Sequence, residues 1–436
     1  MTGARPYRTA YVNARLLDPA SGLDARGSLL TEGETIVGRG PDTLADGIPD
    51  DAAVVDCDGL CLGPGLVDMR VHLREPGAEH KETLQTGGAA AVAGGVASMV
   101  CLPDTDPVID DAAAVEFIAR RARQIGLTKV YPYAAATRGF DGQHLAEMGL
   151  LAEAGACAFT DGARTIADAQ VMRRALTYAS TFGLLIVQHA EEPSLAANGA
   201  MTSGALATRL GLPGIPREAE AIMLDRDVRL AEMTGARYHA AHVSTASGLA
   251  VLRKARERGL PVTCDTAPPY FALNELAVGD YRTFAKLSPP LRAEEDRLAI
   301  AEGVRDGSID VVASDHSPQD QDSKRQPFAE AAFGGAGLET LLPVTLQLYH
   351  QGALDLLTCL ERLTVAPARL LDLPAGTLEP GTPADLVLFD PDAGWRVEAD
   401  DLHSKSKNSP FDGMPVQGRV FRTVVDGRPV FTGEAR

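Results

Sequence analysis

The chain lacks several features that would place it in a specialised class of protein. Its 436 residues contain six cysteines, none of them in a Cys-x-x-Cys pair, which excludes a disulfide framework and favours reduced core thiols. The longest stretch of small apolar residues, 87–102, contains four glycines and is too short to cross a bilayer. The N-terminal residues show no apolar segment of the signal-peptide kind, so we expect a cytoplasmic protein.

Positive charge is also scarce. The 41 lysines and arginines face 59 aspartates and glutamates, which gives a formal net charge of −18. A surface this acidic repels phosphate backbones and anionic lipids, so we expect neither nucleic acid nor a membrane as a partner. A small anionic substrate stays compatible with this charge, because one arginine can dominate a single pocket.

The two ends of the chain have the pattern of β-structure. Residues 7–60 and 383–432 contain short β-prone runs separated by turn residues, and Asp426-Gly427 is a strong hairpin signal. Two β-rich ends around a long middle predict one small β-sandwich domain built from both termini.

The middle of the chain alternates short apolar runs with helical patterns. The eight runs are Leu66–Leu73, Val96–Leu102, Val130–Ala135, Ala156–Thr160, Leu184–Gln188, Arg237–Val243, Pro261–Cys264 and Ile309–Ser314. Eight such units predict a (β/α)8 TIM barrel, although an open doubly wound sheet would give the same pattern. We therefore predict a barrel over residues 61–372, with residues 1–60 and 373–436 forming the β-sandwich.

Polar residues stand where these runs end, which is where a barrel of this kind gathers its catalytic groups. The first run carries Arg70, His72 and Arg74 on one face, and four later runs end in Asp161, His189, His242 and Asp315. Histidines and carboxylates form the usual ligand set of Zn²⁺, which lowers the pKa of bound water to about 7. Taken singly, each has a simpler role as a helix cap or a core polar residue, but their joint occurrence predicts metal-assisted amide hydrolysis. His239 lies three residues from His242 and faces the other way, so we assign it a structural role.

The segment PGLVDMRVHLREPG (64–77) strongly resembles the first-strand signature of type I dihydroorotases in the amidohydrolase superfamily. Eight further segments match in order: MVCLPDTDPVID (99–110), AFTDG (158–162), QHAEE (188–192), AHVST (241–245), LSPPLR (287–292), SDHSP (314–318), PFAEAAFGGAGLET (327–340) and SKSKNSPFDG (404–413). The resemblance implies a (β/α)8 barrel with a small β-sandwich. It also implies reversible hydrolysis of dihydroorotate to N-carbamoyl-aspartate in pyrimidine synthesis.

The resemblance assigns a role to each matching position. His72, Asp161, His189, His242 and Asp315 correspond to metal ligands, and Asp315 also to the general base and acid. Arg74 corresponds to the arginine that holds the substrate carboxylate. Three further positions, Asp104, Ser288 and Gln319, correspond to residues that lie beside the substrate.

Several of these positions depart from the family pattern. The first histidine of the Asp-x-His-x-His motif is Arg70, which has no lone pair for a metal. Its guanidinium would repel the first cation and could replace it by pairing with Asp161 or Asp315. Asp104 replaces an asparagine and adds a like charge beside an anionic substrate. We therefore predict one zinc ion per chain, held mainly by Asp161, His189 and His242.

Two alternatives to an active dihydroorotase stay open. One is a catalytically impaired dihydroorotase-like subunit that assembles with aspartate carbamoyltransferase, a possibility favoured by the changes at positions 70 and 104. The other is a different cyclic amidohydrolase, such as a hydantoinase or allantoinase. The absence of a lysine on the fourth strand and the presence of Arg74 both count against it. For the active enzyme we expect a homodimer.

Overall fold

The computed structural model describes residues 7–433. Within this range, strands from both ends of the chain form one sheet, and the middle forms a ring of parallel strands covered by helices. No helix of residues 7–433 has the length and apolar character needed to cross a membrane.

The terminal sheet is continuous across the two ends of the chain. Its eight strands are Arg8–Asp18, Leu23–Glu32, Thr35–Gly40, Ala52–Asp56, Cys61–Pro64, Leu386–Arg396, Pro415–Val425 and Arg428–Thr432. The strand Leu386–Arg396 pairs antiparallel with Cys61–Pro64, which joins the C-terminal strands to the N-terminal ones. Apolar side chains from both ends, among them Tyr11, Leu29 and Val424, pack into a separate core.

The hairpin predicted at Asp426-Gly427 is confirmed. Val425 and Arg428 pair directly across the turn, and both turn residues have positive φ, at 48° and 70°. Asp-Gly is the sequence that a two-residue turn of this conformation favours, because its backbone twist matches that of the flanking strands.

The middle of the chain builds a barrel of parallel strands. Its named strands are Leu66–Val71, Val96–Cys101, Lys129–Pro132, Leu185–His189, Arg237–Ala241, Val262–Thr266 and Val311–Val312. Phe159 bridges Ala134 on one side and Ile186 on the other, and so stands in the fourth strand position. A bridge between Val71 and His316 joins the eighth position to the first. These bridges favour the predicted barrel over an open sheet.

The apolar runs of the middle segment are explained by burial on both faces. Every residue of Leu66–Val71, Val96–Cys101 and Leu185–His189 is buried. One set of side chains, including Met69 and Val187, forms a cluster distinct from the larger core against the helices. Strands covered on both sides read as nearly continuous apolar sequence, which is why they could be located without a period-two pattern.

Fourteen α-helices and five 3-10 turns connect the strands within residues 7–433. The α-helices are Leu84–Ala93, Ala112–Ile125, Met148–Glu153, Ala169–Phe182, Pro193–Ala196, Ala205–Leu210, Glu218–Thr234, Ala246–Glu257, Pro268–Ala272, Glu294–Asp306, Gln321–Lys324, Leu341–His350, Leu356–Leu363 and Val365–Leu370. The 3-10 turns are Arg138–Phe140, Glu275–Val278, Thr283–Ala285, Leu338–Thr340 and Ala399–Asp401. Ala112–Ile125 shows why helix bounds could be anticipated: Asp111 caps its start and Gly126, with φ 68°, ends it.

Most predicted runs are longer than the strands in the structure, and two of them shorten most. The run Ala156–Thr160 contributes only the bridges of Phe159, and the eighth run narrows to Val311–Val312. In both places a carboxylate accepts from backbone amides near the strand end: Asp161 accepts from Ala136 and Thr137, and Asp68 accepts from Ser314. The domain boundaries at residues 60 and 372 stay a prediction, and the strand Cys61–Pro64 belongs to the terminal sheet.

Candidate active site

The side chains predicted to carry chemistry lie where the barrel strands end, and most are deeply buried. The exposed fraction is 4% for His72, 2% for Asp161, 3% for His189 and 2% for His242. Burial at this depth requires each polar group to find a partner or to be kept for a ligand. The partners of each group therefore show what the site can do.

Arg70 forms an ion pair with Asp315, and the alternative pairing with Asp161 does not occur. Its Nε donates to Asp315 Oδ1 at 3.1 Å, and its Nη2 lies 3.5 Å from the carbonyl oxygen of Gly162. Burial raises the pKa of Asp315 to about 6, although the charge of Arg70 opposes the rise. Asp315 also has a positive φ of 51°, a conformation that is uncommon outside glycine and is often found at functional sites.

Asp104 lies between His72 and Arg74. Its Oδ2 is 2.6 Å from His72 Nδ1 and accepts from Arg74 Nη1 at 2.9 Å, while Arg74 Nη2 donates to Ser317 Oγ at 3.0 Å. Burial lowers the pKa of His72 to about 4, so its imidazole is neutral. Burial alone would raise the pKa of Asp104, but the neighbouring His72 and Arg74 lower it to about 2. The negative charge at position 104 is thus compensated by Arg74.

Asp161 is held by the loop that follows the third strand. Its Oδ1 accepts from the backbone amides of Ala136 and Thr137 at 3.1 and 2.9 Å, and its Oδ2 accepts from the Thr137 hydroxyl. Burial raises its pKa despite these hydrogen bonds. Because Oδ2 accepts a single hydrogen bond, it keeps a lone pair for a further ligand.

His189 and His242 face each other with a ring separation of 5.6 Å. Among the described atoms, His189 Nδ1 and both ring nitrogens of His242 are buried without a hydrogen-bond partner. His242 Nδ1 lies 3.8 Å from Oδ1 of both Asp265 and Asp315, and the ring of Tyr270 stacks on His242 at 6.2 Å. Burial lowers the pKa of His242 well below its usual value, and the charge of Arg70 lowers it further.

These contacts do not fit a two-metal centre. Arg70 presents a permanent positive charge at the position of the first-strand ligand. Asp104 contacts only Nδ1 of His72 and leaves Nε2 for a ligand, so the misfit comes from Arg70. In the stretch from Tyr7 to Gly433, no group of three or more histidine, cysteine, aspartate or glutamate side chains is arranged to hold a metal ion. Imidazole nitrogens are common zinc ligands, and the unpartnered nitrogens of His189 and His242 could provide two ligands of a single ion. The predicted ligand set as a whole stays a prediction.

Ser288 and Gln319, the two remaining residues predicted to lie beside the substrate, have different surroundings. Ser288 is half-buried, next to Pro289, whose carbonyl oxygen accepts from Tyr270 OH at 3.1 Å. Both polar ends of the Gln319 side chain are engaged by other residues of the protein: its Oε1 accepts from Lys81 at 2.9 Å and its Nε2 donates to the carbonyl oxygen of Phe333 at 2.8 Å. The substrate contacts assigned to Ser288 and Gln319 stay predictions.

Asp265 is a site residue that the sequence analysis did not identify. It is 1% exposed and lies between two histidines, with Oδ2 3.1 Å from His239 Nε2 and Oδ1 3.8 Å from His242 Nδ1. The other ring nitrogen of His239 lies 2.8 Å from the Thr263 hydroxyl, so protein groups engage both of its nitrogens. Its structural role stays a prediction, since it shares Asp265 with His242. The predicted seventh run ends at Cys264, one residue before this carboxylate, whereas the strand extends to Thr266. A run longer by one residue includes Asp265 among the strand-end acids.

A second unpredicted contact joins the last matching segment to the barrel. Glu82 is fully buried, with Oε2 3.4 Å from His316 Nε2 and in contact with the hydroxyl of Ser404. The other ring nitrogen of His316 accepts from the backbone amide of Gly337 at 3.1 Å. The segment 404–413 is thereby fixed beside the strand end that carries Asp315.

Known proteins similar in sequence are dihydroorotases. The chain is 45% identical over 98% of its length to "Dihydroorotase" of Anaplasma phagocytophilum, covering 96% of that protein. It is 46% identical over 96% of its length to "Dihydroorotase" of Pelobacter propionicus, covering 98% of that protein. A family model described as "Dihydro-orotase-like" matches residues 59–247, and one described as "Amidohydrolase family" matches residues 299–431.

Solved structures with the same fold are more distant in sequence. L-Hydantoinase (dihydropyrimidinase) from Arthrobacter aurescens superposes with a TM-score of 0.87 at 25% identity, covering 98% of this chain and 97% of that one. Dihydropyrimidinase from Brevibacillus agri superposes with a TM-score of 0.84 at 24% identity, covering 98% and 95%, which shows the shared fold alone. The chain shares its fold with these barrel hydrolases, but its sequence is more similar to the proteins named dihydroorotase. The chain therefore belongs to the dihydroorotase family of amidohydrolases.

Proposed function

We propose that this chain catalyses the reversible hydrolysis of dihydroorotate to N-carbamoyl-aspartate, a step of pyrimidine synthesis. The observation that carries the proposal is the placement of a largely buried carboxylate, Asp315, at a strand end beside a guanidinium suited to bind a carboxylate. Arg74 donates to Ser317, two residues from Asp315, so the two groups border one site. Full-length similarity to proteins named dihydroorotase supports the same reaction.

Each group has a defined task in this reaction. Asp315 accepts a proton from the attacking water and returns it to the leaving amide nitrogen, which is general base and acid catalysis. Arg74 orients the substrate through its carboxylate, for which a guanidinium fork is well matched. Since Asp104 already accepts from Arg74 Nη1, the substrate carboxylate either displaces Asp104 or uses Arg74 Nε, which is buried and has no partner in the described part of the chain.

We further propose that the chain holds a single zinc ion. His189 and His242, with their unpartnered nitrogens, would be two of its ligands. Asp161 keeps a spare lone pair but is not grouped with them in the described structure, so it would have to move to become the third. When bound, such an ion supplies a water of lowered pKa to the reaction.

Hydrolysis of dihydroorotate by the purified, zinc-supplemented protein tests the proposed function. We expect turnover in the wild type and its loss in His242→Ala, which also controls for contaminating enzyme. His144→Ala is the matched control, because His144 is 73% exposed and contacts Asp141 at the surface. Turnover that persists at the wild-type rate in His242→Ala, or that is absent from the folded wild type, contradicts the proposal.

The non-catalytic subunit is the second candidate, and the ion pairs of Arg70 with Asp315 and of Arg74 with Asp104 are the observations that favour it. The names of the sequence relatives count against it. An inactive, folded chain that co-purifies with aspartate carbamoyltransferase would support this candidate, whereas an active chain is proposed to work as a homodimer. A cytoplasmic location is proposed for either form, since all six cysteines are free thiols.

A further inference from the structure

Arg70 carries a buried charge that its contacts only partly satisfy. Its side chain is 2% exposed, and its Nε is engaged by Asp315. Nη2 makes only the long contact with the Gly162 carbonyl, and Nη1 has no acceptor anywhere in residues 7–433. A buried ionic donor without an acceptor is costly, so it is kept where a ligand completes it.

Asp315 Oδ1 is the point at which three functional groups meet. Arg70 Nε lies 3.1 Å from this oxygen and His242 Nδ1 lies 3.8 Å from it. The guanidinium is thus next to both the proposed base and one of the unpartnered histidines. A divalent cation at the same place would face the fixed charge of Arg70 at short range, which opposes its binding.

We propose that Arg70 is a catalytic residue that takes the place of one of two divalent cations in this site. Its Nε fixes the carboxylate of Asp315, and its Nη1 donates to the carbonyl oxygen of the amide bond that is cleaved. This inference rests on the proposed function, and it identifies the group that stabilises the negative charge developing on that oxygen.

The reaction balances with these groups. Water adds to the amide carbon while one of its protons moves to the Asp315 carboxylate, and the carbonyl oxygen becomes an oxyanion paired with Arg70. When the carbonyl re-forms, the carbon–nitrogen bond breaks and Asp315 returns the proton to the leaving nitrogen. The new carboxylic acid then loses its remaining proton to solvent, and the guanidinium stays protonated throughout.

Chemical rescue of a truncated variant tests the assignment. Loss of one preorganised oxyanion donor lowers kcat by about 100- to 1000-fold, so we expect a fall of this size in Arg70→Ala with a much smaller change in KM. Added methylguanidinium should restore at least part of the lost rate, and methylammonium should not. Arg256→Ala is the matched control, because Arg256 contacts Gly307 and Asp310 at the opposite end of the strands.

Zinc content gives a readout that does not depend on turnover. Arg70→His supplies a neutral imidazole where the guanidinium stood, and we expect it to bind one more zinc ion per chain than the wild type. An unchanged zinc content overturns the placement of Arg70 at a cation position, even if the wild type is inactive and the proposed function has failed. If the wild type is active, a rate in Arg70→Ala within a few-fold of wild type, or equal rescue by methylammonium, overturns the catalytic role.

Discussion

A single carboxylate oxygen, Asp104 Oδ2, contacts both His72 and Arg74, at 2.6 and 2.9 Å. The chain thus places its own carboxylate on the guanidinium of Arg74, which we propose binds the substrate. Asparagine at this position would carry no charge and would compete less with an anionic ligand. We therefore expect Asp104 to limit how strongly the proposed site binds a dicarboxylate.

Asp104→Asn is expected to strengthen binding of N-carbamoyl-aspartate about tenfold, which corresponds to about 1.4 kcal/mol. The variant removes a negative charge from the site and frees Arg74 for the ligand. Calorimetric titration of the product and the KM for dihydroorotate measure the change.

The control for this variant is Asp106→Asn, an exposed aspartate in the same loop, which should bind as the wild type does. Weaker product binding in Asp104→Asn would show that Asp104 supports Arg74 and does not compete with the substrate.

The wild-type protein is expected to contain about one zinc ion per chain, because Arg70 replaces a ligand and repels a second cation. Metal analysis after dialysis against a weak chelator measures the number. His242→Ala should lower it, since His242 has two free ring nitrogens in the described structure. Two tightly held ions per wild-type chain would contradict the prediction.

Glu82→Ala is expected to destabilise the fold by about 3 kcal/mol, because removing a buried carboxylate leaves its hydrogen-bonding partners unsatisfied. Those partners include His316 and the hydroxyl groups of Thr86 and Ser404. The thermal midpoint should fall by several degrees, and Glu79→Ala, at an exposed site nearby, should leave it unchanged. Equal midpoints for the two variants would refute the structural role of Glu82.

Asp227 is expected to make stability depend on pH. Burial raises its pKa to about 6, although Arg226 and Tyr238 lower it, so folding favours the protonated acid. Its contribution is complete below about pH 4 and is lost as the pH rises through 6, a change of up to about 3 kcal/mol. The thermal midpoint of the wild type, measured relative to that of Asp227→Asn, should therefore decrease as the pH is raised from 4 to 7.

The neighbouring Asp225→Asn is the control for Asp227, because Asp225 is 54% exposed and pairs with Arg229 on the same helix. It should show no such trend. A difference between wild type and Asp227→Asn that stays constant with pH would contradict a perturbed carboxylate at this position.

The strands of the barrel could be located from sequence because burial on both faces leaves an uninterrupted apolar run. The bounds of Val96–Cys101 and Leu185–His189 differ from the predicted runs by a residue at one or both ends. The fourth run was less well predicted: within it only Phe159 forms bridges, and just beyond it the Asp161 side chain accepts from the amide of Thr137, 24 residues away. Side-chain capture of a backbone donor leaves no periodic signal.

The strand-end positions of the site residues could also be anticipated, but their pairing could not. Arg70 had two acceptable carboxylates, and its choice of Asp315 spans 245 residues and depends on side-chain rotamers. Asp161 accepts a hydrogen bond from the hydroxyl of Thr137, and nothing in the sequence around Thr137 indicates this contact. Spacing along a strand predicts which side chains lie on the same face. It does not predict which of several nearby charged groups a given side chain will contact.

The pairing of Leu386–Arg396 with Cys61–Pro64 has a consequence for biosynthesis. The strand Cys61–Pro64 is synthesised roughly 300 residues before its partner Leu386–Arg396. At ordinary elongation rates this is a delay on the order of tens of seconds. Throughout that interval the nascent chain carries an open strand edge, which is a template for pairing with other chains. The growing polypeptide therefore depends on the barrel, or on a chaperone, to cover this edge until its own C-terminus is made.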